Sequence, residues 1–415
     1  MLELKNSMTK KLEPLKPREE GVVKIFTCGP SIYRRPHIGN YRTFLYEDIL
    51  VRYLELLGYE VRRTINFTDV EDKTIEEARK KERDLYDITE EAAAFFYRET
   101  GELRIKLPPE IPSSSSSVPE AVKIIETLME KGHAYRHEGD IFFDPLTFPG
   151  FGKLFGLDMS RWPGKRVRFR RDTYNGNRWN RGDFILWHGH RGEHNHSWDA
   201  SIGRGRPSWN VQDPAMIIKH LGEQVDVNCG GIDNIYRHHD YNIAVMEAAT
   251  GKEYAQIYLH GEHLMVEGKP MSKSRGNILF PEDVYRQGYS PAELRFFLTA
   301  TRHYREKLNY TAASMESAAR RLRHLKDLIG KLLDSPSGDT AAEGTRKRTA
   351  LIESLENQFR DALNQDLFLK KGIDRTGKIL ENIYNLAPGG LGKEEKPALK
   401  GQLARIDSVV QCLLD

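Results

Sequence analysis

A chain of 415 residues, 39% apolar and 30% charged, has room for two or three domains and a core large enough to hold an enzyme site. Its 63 basic and 60 acidic residues leave a net charge of +3, so attraction to polyanions must come from local patches. The opening MLELKNSMTKKLEPLKPREE lacks the apolar core of a secretory signal, and no apolar run approaches the roughly 20 residues of a membrane span. Three cysteines, Cys28, Cys229 and Cys412, are too few for a disulfide framework, so the prediction is a cytoplasmic protein with no membrane or DNA partner.

The first predicted element is the β-rich run VVKIFTCG (22–29), which ends in a Gly-Pro break and reads as a buried strand. From Tyr41 to Leu57, Phe44, Leu45, Ile49, Tyr53, Leu56 and Leu57 recur at helical spacing, with Gly58 as the stop. YEVRRTINFT (59–68) returns to strand character, completing a βαβ unit whose helix starts at the carboxyl edge of a parallel sheet. A helical stretch follows over roughly 70–105. SSSSS (113–117) reads as a flexible joint before the helix of VPEAVKIIETLMEKGHAY. The region 140–208 reads as loop-rich, βα character returns at 215–260, and from about 310 the pattern is helical, interrupted by DSPSGDTAAEGTRKR (334–348). The fold expected is α/β, a Rossmann-like doubly wound parallel sheet split by an insertion, then a helical-bundle C-terminal domain.

His37-Ile38-Gly39-Asn40 lies just after the first strand and opens the first long helix. Free backbone N–H groups and the positive end of the helix dipole make such a place favourable for phosphate. Gly39 lets a flat base or a phosphate approach the backbone, and His37 can donate to a phosphate oxygen. Met271-Ser272-Lys273-Ser274, beside Arg275 and Gly276, follows a strand-like EHLMVEG and can bring a mobile cation over a triphosphate. Either motif alone has a bland reading, a turn histidine or a solvated loop.

Together and in this order, they resemble the HIGH and KMSKS signatures of class I aminoacyl-tRNA synthetases. TCGPSIYRRPHIGNYRTF, NFTDVEDKTIEEA (66–78), LPPEIP with VPEAVKIIETLMEKGHAY, GDFILWH (182–188), LGEQVDVNCGGIDNIYRHHDYNIAVMEAATG (221–251) and KPMSKSRGN narrow the resemblance to cysteinyl-tRNA synthetases. FRDALNQDLF (359–368) is similar to a motif of that family's helical domain. The resemblance implies residues 1–110 as the first half of the catalytic domain and 111–205 as an insertion. It implies 206–310 as the second half with the KMSKS-type loop and 311–415 as a helical domain; the expectation of no separate anticodon-reading module is a departure from chains of the family that charge tRNA. It also implies formation of an aminoacyl-adenylate from ATP, with Mg²⁺ accompanying the nucleotide. His37, Asn40 and Lys273 are then the catalytic candidates. Gly29, Gly39, Gly230, Gly231, Asp233, Met271, Ser272 and Ser274 would bind ATP, Asp233 accepting from ribose hydroxyls. Thr68 and Trp209 would wall the amino-acid pocket.

The family's zinc ligands are two cysteines, a histidine and a glutamate, and the soft metal selects a substrate thiolate. Cys28 and His238 match two of these, but Asp213 stands at the second cysteine and Asn242 at the glutamate. Two readings stay open here. Cys28, Asp213 and His238, with Asp240 or His239, hold a metal in an altered set, or these polar groups recognise another side chain directly. The weaker donor set favours no tight zinc and an amino acid other than cysteine, with Cys28, Asp213, His238 and Asn242 in its pocket. Cys229 reads as a small buried filler.

The chain's end resembles that of the mycothiol cysteine ligase, a relative that joins cysteine to an amino sugar, so the acceptor stays open between a small amine, a carrier or peptide, and tRNA. RWPGKRVRFRRDTYNGNRWNR (161–181) holds eight Arg or Lys against one Asp among aromatics, either a solvated loop or an RNA grip. HGHRGEHNH (188–196) could bind a transition metal. A genuine cysteinyl-tRNA synthetase with an atypical zinc site, and a catalytically silent RNA- or protein-binding paralogue, are the alternatives. The intact His37, Asn40, Lys273 and Asp233 weigh against the second.

Overall fold

Strand Val22–Thr27 is a central member of a four-stranded, all-parallel sheet ordered Ala255–Gly261, Val225–Gly231, Val22–Thr27, Glu60–Ile65. This arrangement comes from a computed structural model that describes residues 1–161, 182–192, 196–335 and 342–414. The strand's pattern is buried at five of six positions, as expected where helices cover both faces. Helix Ile38–Leu56 makes the crossover to Glu60–Ile65, starting three residues before the predicted Tyr41 because His37 caps it. Phe44, Leu45, Ile49 and Tyr53 are buried, and Leu56 is the half-buried end of that stripe.

The predicted helical stretch over 70–105 is two helices, Asp72–Lys81 and Leu85–Glu102. They break at Glu82, whose φ of 52° is left-handed and cannot continue a helix. The serine run is not a flexible joint. Ser115–Ser117 form a 3₁₀ turn with Ser117 buried and Ser116 exposed, and the Asp69 carboxylate accepts from the Ser114 and Ser115 hydroxyls and from the Ser115 N–H. A buried carboxylate satisfied by three donors fixes the turn where composition suggested freedom.

The region 140–208 also departs from the loop-rich reading. Ala134–His137, Asp140–Phe143, Phe184–Gly189 and Gly205–Pro207 form one four-stranded antiparallel sheet in that order. Residues 162–181, which hold nearly all the basic stretch, and 193–195 of the histidine-rich segment lie outside the described residues.

βα character over 215–260 is realised as helix Trp209–Leu221, strand Val225–Gly231, helix Asp240–Thr250 and strand Ala255–Gly261. The C-terminal region packs helices Ala312–Asp334, Ala342–Leu363, Leu369–Asn385 and Glu395–Val410. The fully buried Arg295 locks this bundle to the sheet domain: its guanidinium donates to the carbonyls of Val410 and Leu103 and sits 2.6 Å from Asp48. Losing Asp48 would leave a buried charge unpaired, a cost of about 3–5 kcal/mol. Among the described residues no helix is long and apolar enough to cross a membrane.

Candidate active site at the sheet's switch point

Val22–Thr27 is followed in sequence by its neighbour on one side, Glu60–Ile65, while its other neighbour, Val225–Gly231, arrives much later. The connections therefore leave to opposite sides and open a crevice at the strands' carboxyl ends, where open α/β sheets bind ligands. A cavity of about 430 Å³ occupies that place. Of the sequence candidates, Cys28, Gly29, Asn40, Thr68, Trp209, Gly231, Asp233 and His238 line it.

At one end stands the helix N-terminus. His37 caps Ile38–Leu56: its Nδ1 accepts from the Asn40 N–H at 3.2 Å, while Asn40 Oδ1 accepts from the His37 N–H at 3.0 Å. Because Nδ1 is the acceptor, the proton of the neutral ring sits on Nε2, which remains a donor. Burial, then the Arg34 charge, pull the His37 pKa down to about 4, so the ring is neutral at physiological pH. Asn40 likewise keeps its amide N–H₂ free of the capping bond. The two side chains thus shape the helix start and still offer one donor group each.

The KMSKS-type loop closes on the same point. A Cβ added to Gly39 would lie 2.5 Å from Met271 Cε, and the Ile38 N–H donates to Leu279 O at 2.9 Å. Within the loop the Ser272 N–H donates to Asn277 Oδ1, and the Ser272 and Ser274 hydroxyls are 3.3 Å apart. Lys273 opens the 3₁₀ turn Lys273–Arg275.

Across the crevice Gly230 exchanges two hydrogen bonds with the Tyr46 hydroxyl, at 2.8 and 3.0 Å. A Cβ on Gly231 would meet Asp233 Oδ1 at 2.6 Å, so that glycine keeps the backbone bare beside the carboxylate, whereas one on Gly230 would meet His239 Cε1 at 2.7 Å, a packing constraint away from the cavity lining. Gly29 has a different reason. Its Cβ would fall 1.8 Å from the Asn66 carbonyl oxygen, while its N–H donates to Asn66 Oδ1. Its place is set by packing against Asn66 as well as by the cavity it borders.

At the other end Cys28 Sγ is 3.2 Å from His238 Nε2, and that nitrogen is 2.8 Å from Asp213 Oδ2. The indole of Trp209 lies 5.0 Å from the His238 ring. Asp213 is only 1% exposed and accepts from Asn66 Nδ2 at 2.9 Å and Asn242 Nδ2 at 3.3 Å as well. Asp213 and Asn242 were expected on the pocket surface; they stand behind its wall, holding His238, because an unpaired buried carboxylate would be far costlier than one wrapped in donors. Both Cys28 and Asp213 meet the same imidazole nitrogen, so this is not a nucleophile–base–carboxylate relay, which needs both ring nitrogens. Cys229 is fully buried on its strand, as a filler should be.

These residues do not fit the zinc cage that the family resemblance implies. Without a metal, burial, reinforced by Asp213, pushes the Cys28 thiol well above its usual range, so any metal bound here would have to displace that proton. Asp213 already receives three N–H donors, and Asn242 turns a donor towards the cluster. Cys28, His238 and His239 do place one donor atom each within 4.8 Å of one another. His239 Nδ1 is engaged by Asn228 and His260 while its buried Nε2 has no hydrogen-bond partner, so it remains open as a donor, but the set contains one sulfur, not two.

Three residues escaped the sequence reading. Asn66, Ser31 and Glu71 all contribute to this end of the site, Ser31 and Glu71 as walls and Asn66 as the prop of Asp213 and Gly29. The only hint was that Asn66 and Glu71 flank Thr68 in NFTDVEDK.

Comparison with known proteins follows the same line. Residues 14–320 match the family model "tRNA synthetases class I (C) catalytic domain". The chain is 32% identical over 412 residues to a cysteine–tRNA ligase of Brachyspira hyodysenteriae, covering 98% of this chain and 85% of that protein. It is 35% identical over 379 residues to the Methanosarcina mazei cysteine–tRNA ligase, covering 90% and 79%. A solved methionyl-tRNA synthetase of Mycobacterium tuberculosis, in complex with methionyl-adenylate, shares the fold with a TM-score of 0.65 at 13% identity, covering 94% of this chain and 90% of that one.

Proposed function

Because this chain belongs to the cysteinyl-tRNA synthetase family, we propose that it activates an amino acid other than cysteine as its adenylate, in a pocket that works without zinc. As an ATP-dependent, aminoacyl-tRNA synthetase-like ligase, it would proceed in two steps. A carboxylate oxygen of the amino acid attacks the α-phosphorus of ATP, and the bond to pyrophosphate breaks. The acceptor's nucleophile then attacks the acyl carbon, and AMP leaves. The names of its relatives support tRNA as that acceptor; a small amine or a carrier protein is the other class of acceptor this chemistry serves.

Phosphoryl transfer of this kind is governed by positioning and charge neutralisation. In this reading His37 donates its Nε2 proton as a hydrogen bond to the oxygens around the α-phosphorus, where negative charge grows, and the helix N-terminus adds its dipole. Asn40 contributes a second donor. Lys273 supplies the cation for the leaving pyrophosphate. Gly39 and Gly231 give the adenosine bare backbone, and Asp233 accepts from the ribose. A Mg²⁺ ion accompanying the nucleotide would neutralise part of the phosphate charge. At the far end His238, held by Asp213, presents an oriented imidazole beside Trp209 and Thr68 to the amino-acid side chain.

The observation that carries the reading is the donor set around His238: one sulfur from Cys28, the buried Asp213 carboxylate, and Asn242, which turns an uncharged amide N–H towards Asp213 where the family's set has a glutamate. Pyrophosphate exchange into ATP across a panel of amino acids, with and without tRNA, tests it. Exchange with an amino acid other than cysteine is expected. Exchange with cysteine alone, in protein carrying stoichiometric zinc, would overturn the reading.

A further inference from the structure

Among the carboxylates that line the cavity, two are accounted for. Asp72 is paired with Arg206, and Asp233 sits at the Gly231 end assigned to the nucleotide. The third, Glu71, is different. It is the N-cap residue of helix Asp72–Lys81 but makes no side-chain cap, since its longer side chain does not fold back as Asp or Ser would. The residue is 8% exposed and lines the cavity with Ser31, Thr68, Trp209 and His238. Its Oε1 has no hydrogen-bond partner, and no cation of the described residues lies within ion-pair distance of the carboxylate. Burial lifts its pKa, and the nearby Lys73, Ser31 and His238 work against that lift. A carboxylate this buried and this incompletely paired is expensive unless a cation completes it.

We infer that Glu71 is the receptor for the α-ammonium group of the amino-acid substrate. The inference rests on the adenylation reading above. In that reading the substrate carboxylate points to the helix N-terminus and His37, and the side chain points to His238 and Trp209. One group remains on the same α-carbon, an ammonium with three N–H donors. Of the cavity's walls, the one bearing Glu71, Ser31 and Thr68 is left for it, and it carries the acceptor that lacks a donor. Glu71 is therefore a binding residue that fixes the amino acid's orientation, and with it the carboxylate's line of attack on phosphorus.

The test compares Glu71→Gln with the wild type in full-length protein, by pyrophosphate exchange using the amino acid that the wild type activates best. The expected result is a KM for the amino acid raised about 30-fold or more, as for loss of one partner in a desolvated charge pair, with the KM for ATP within about 2-fold. The des-amino analogue of the same acid, used as a competitive inhibitor, should bind the wild type and Glu71→Gln about equally. Melting temperature should not fall in Glu71→Gln, because an unpaired buried charge has been removed. A structural role would instead lower the melting temperature or raise both KM values together. Wild-type exchange with an unchanged amino-acid KM in Glu71→Gln would overturn the assignment of Glu71 alone. Absence of wild-type exchange with every amino acid would overturn the adenylation reading, and this inference with it.

Discussion

Met271 lies directly over Gly39, so the two signature motifs, far apart in sequence, meet at van der Waals range over the start of one helix. The contact gives Gly39→Ala two opposed effects. A methyl group would meet Met271 Cε at 2.5 Å, but that atom is the free end of a flexible side chain and can move aside. Alanine also favours the helix by about 1 kcal/mol over glycine. Melting temperature should therefore hold or rise. The KM for ATP should increase about 10-fold or more, because the new methyl and the displaced Met271 occupy the face offered to the nucleotide. A parallel loss of stability and activity would contradict this account.

His37 combines a structural and a chemical task, and His37→Asn separates them. Asparagine is among the best N-cap residues, so helix Ile38–Leu56 should keep its cap within a few tenths of a kcal/mol. The Nε2 donor disappears, and loss of one such donor typically lowers the rate about 10²–10³-fold. His37→Ala should lose the same activity and about 1 kcal/mol of stability besides. The acid response follows from the same residue. Its folded-state pKa of about 4 lies below the ordinary 6.5, so the unfolded chain binds more protons between these values. Stability should then fall as pH drops from about 6.5 to about 4, by at most about 3 kcal/mol from this residue. Urea titrations over that range should show a shallower decline in His37→Asn. Parallel slopes would refute the assignment.

The sheet and its first crossover were legible because strand, Gly-Pro break and amphipathic run follow one another in 22–57 with the periods that burial demands. Other parts were not, for specific reasons. Ser113–Ser117 look like a linker by composition, and nothing local reveals that Asp69 gathers their donors from 45 residues away. The insertion's antiparallel sheet is built from strands of three to six residues, too short to leave a clear alternation. The pocket residues Asp213 and Asn242 were found through their positions, but their burial behind His238 depends on Asn66 and on contacts that only the fold creates.

Gly29 is predicted to be nearly irreplaceable on packing grounds. In Gly29→Ala the methyl would sit 1.8 Å from the Asn66 carbonyl oxygen, a backbone atom with little freedom to retreat. Relieving that overlap would move strand Glu60–Ile65 away from Val22–Thr27 or release the Gly29 N–H from Asn66 Oδ1. A loss of about 3 kcal/mol or more is expected, at the upper end of overpacking costs. Soluble yield and chemical denaturation would measure it. A variant as stable as the wild type would show that the two loops move apart easily.

The pocket's chemistry can be inverted by changing two side chains. Wild-type protein purified without chelator should contain well under one zinc per chain, because a carboxylate and an uncharged amide, Asp213 and Asn242, stand where the cage needs a second thiolate and a glutamate. Asp213→Cys with Asn242→Glu would assemble two sulfurs, an imidazole and a carboxylate, a tetrahedral set of the softness zinc prefers. Asp213→Cys alone should be destabilised by about 2–3 kcal/mol, since Asn66, His238 and Asn242 would lose the carboxylate they serve. In the double variant, zinc added during folding should recover that loss, because metal binding to the native state alone stabilises it. Elemental analysis together with melting temperature, measured with and without zinc, decides the matter. Stoichiometric zinc in the wild type would show that Cys28, His238 and their neighbours hold the metal despite Asp213, and the pocket would then select its substrate by metal chemistry.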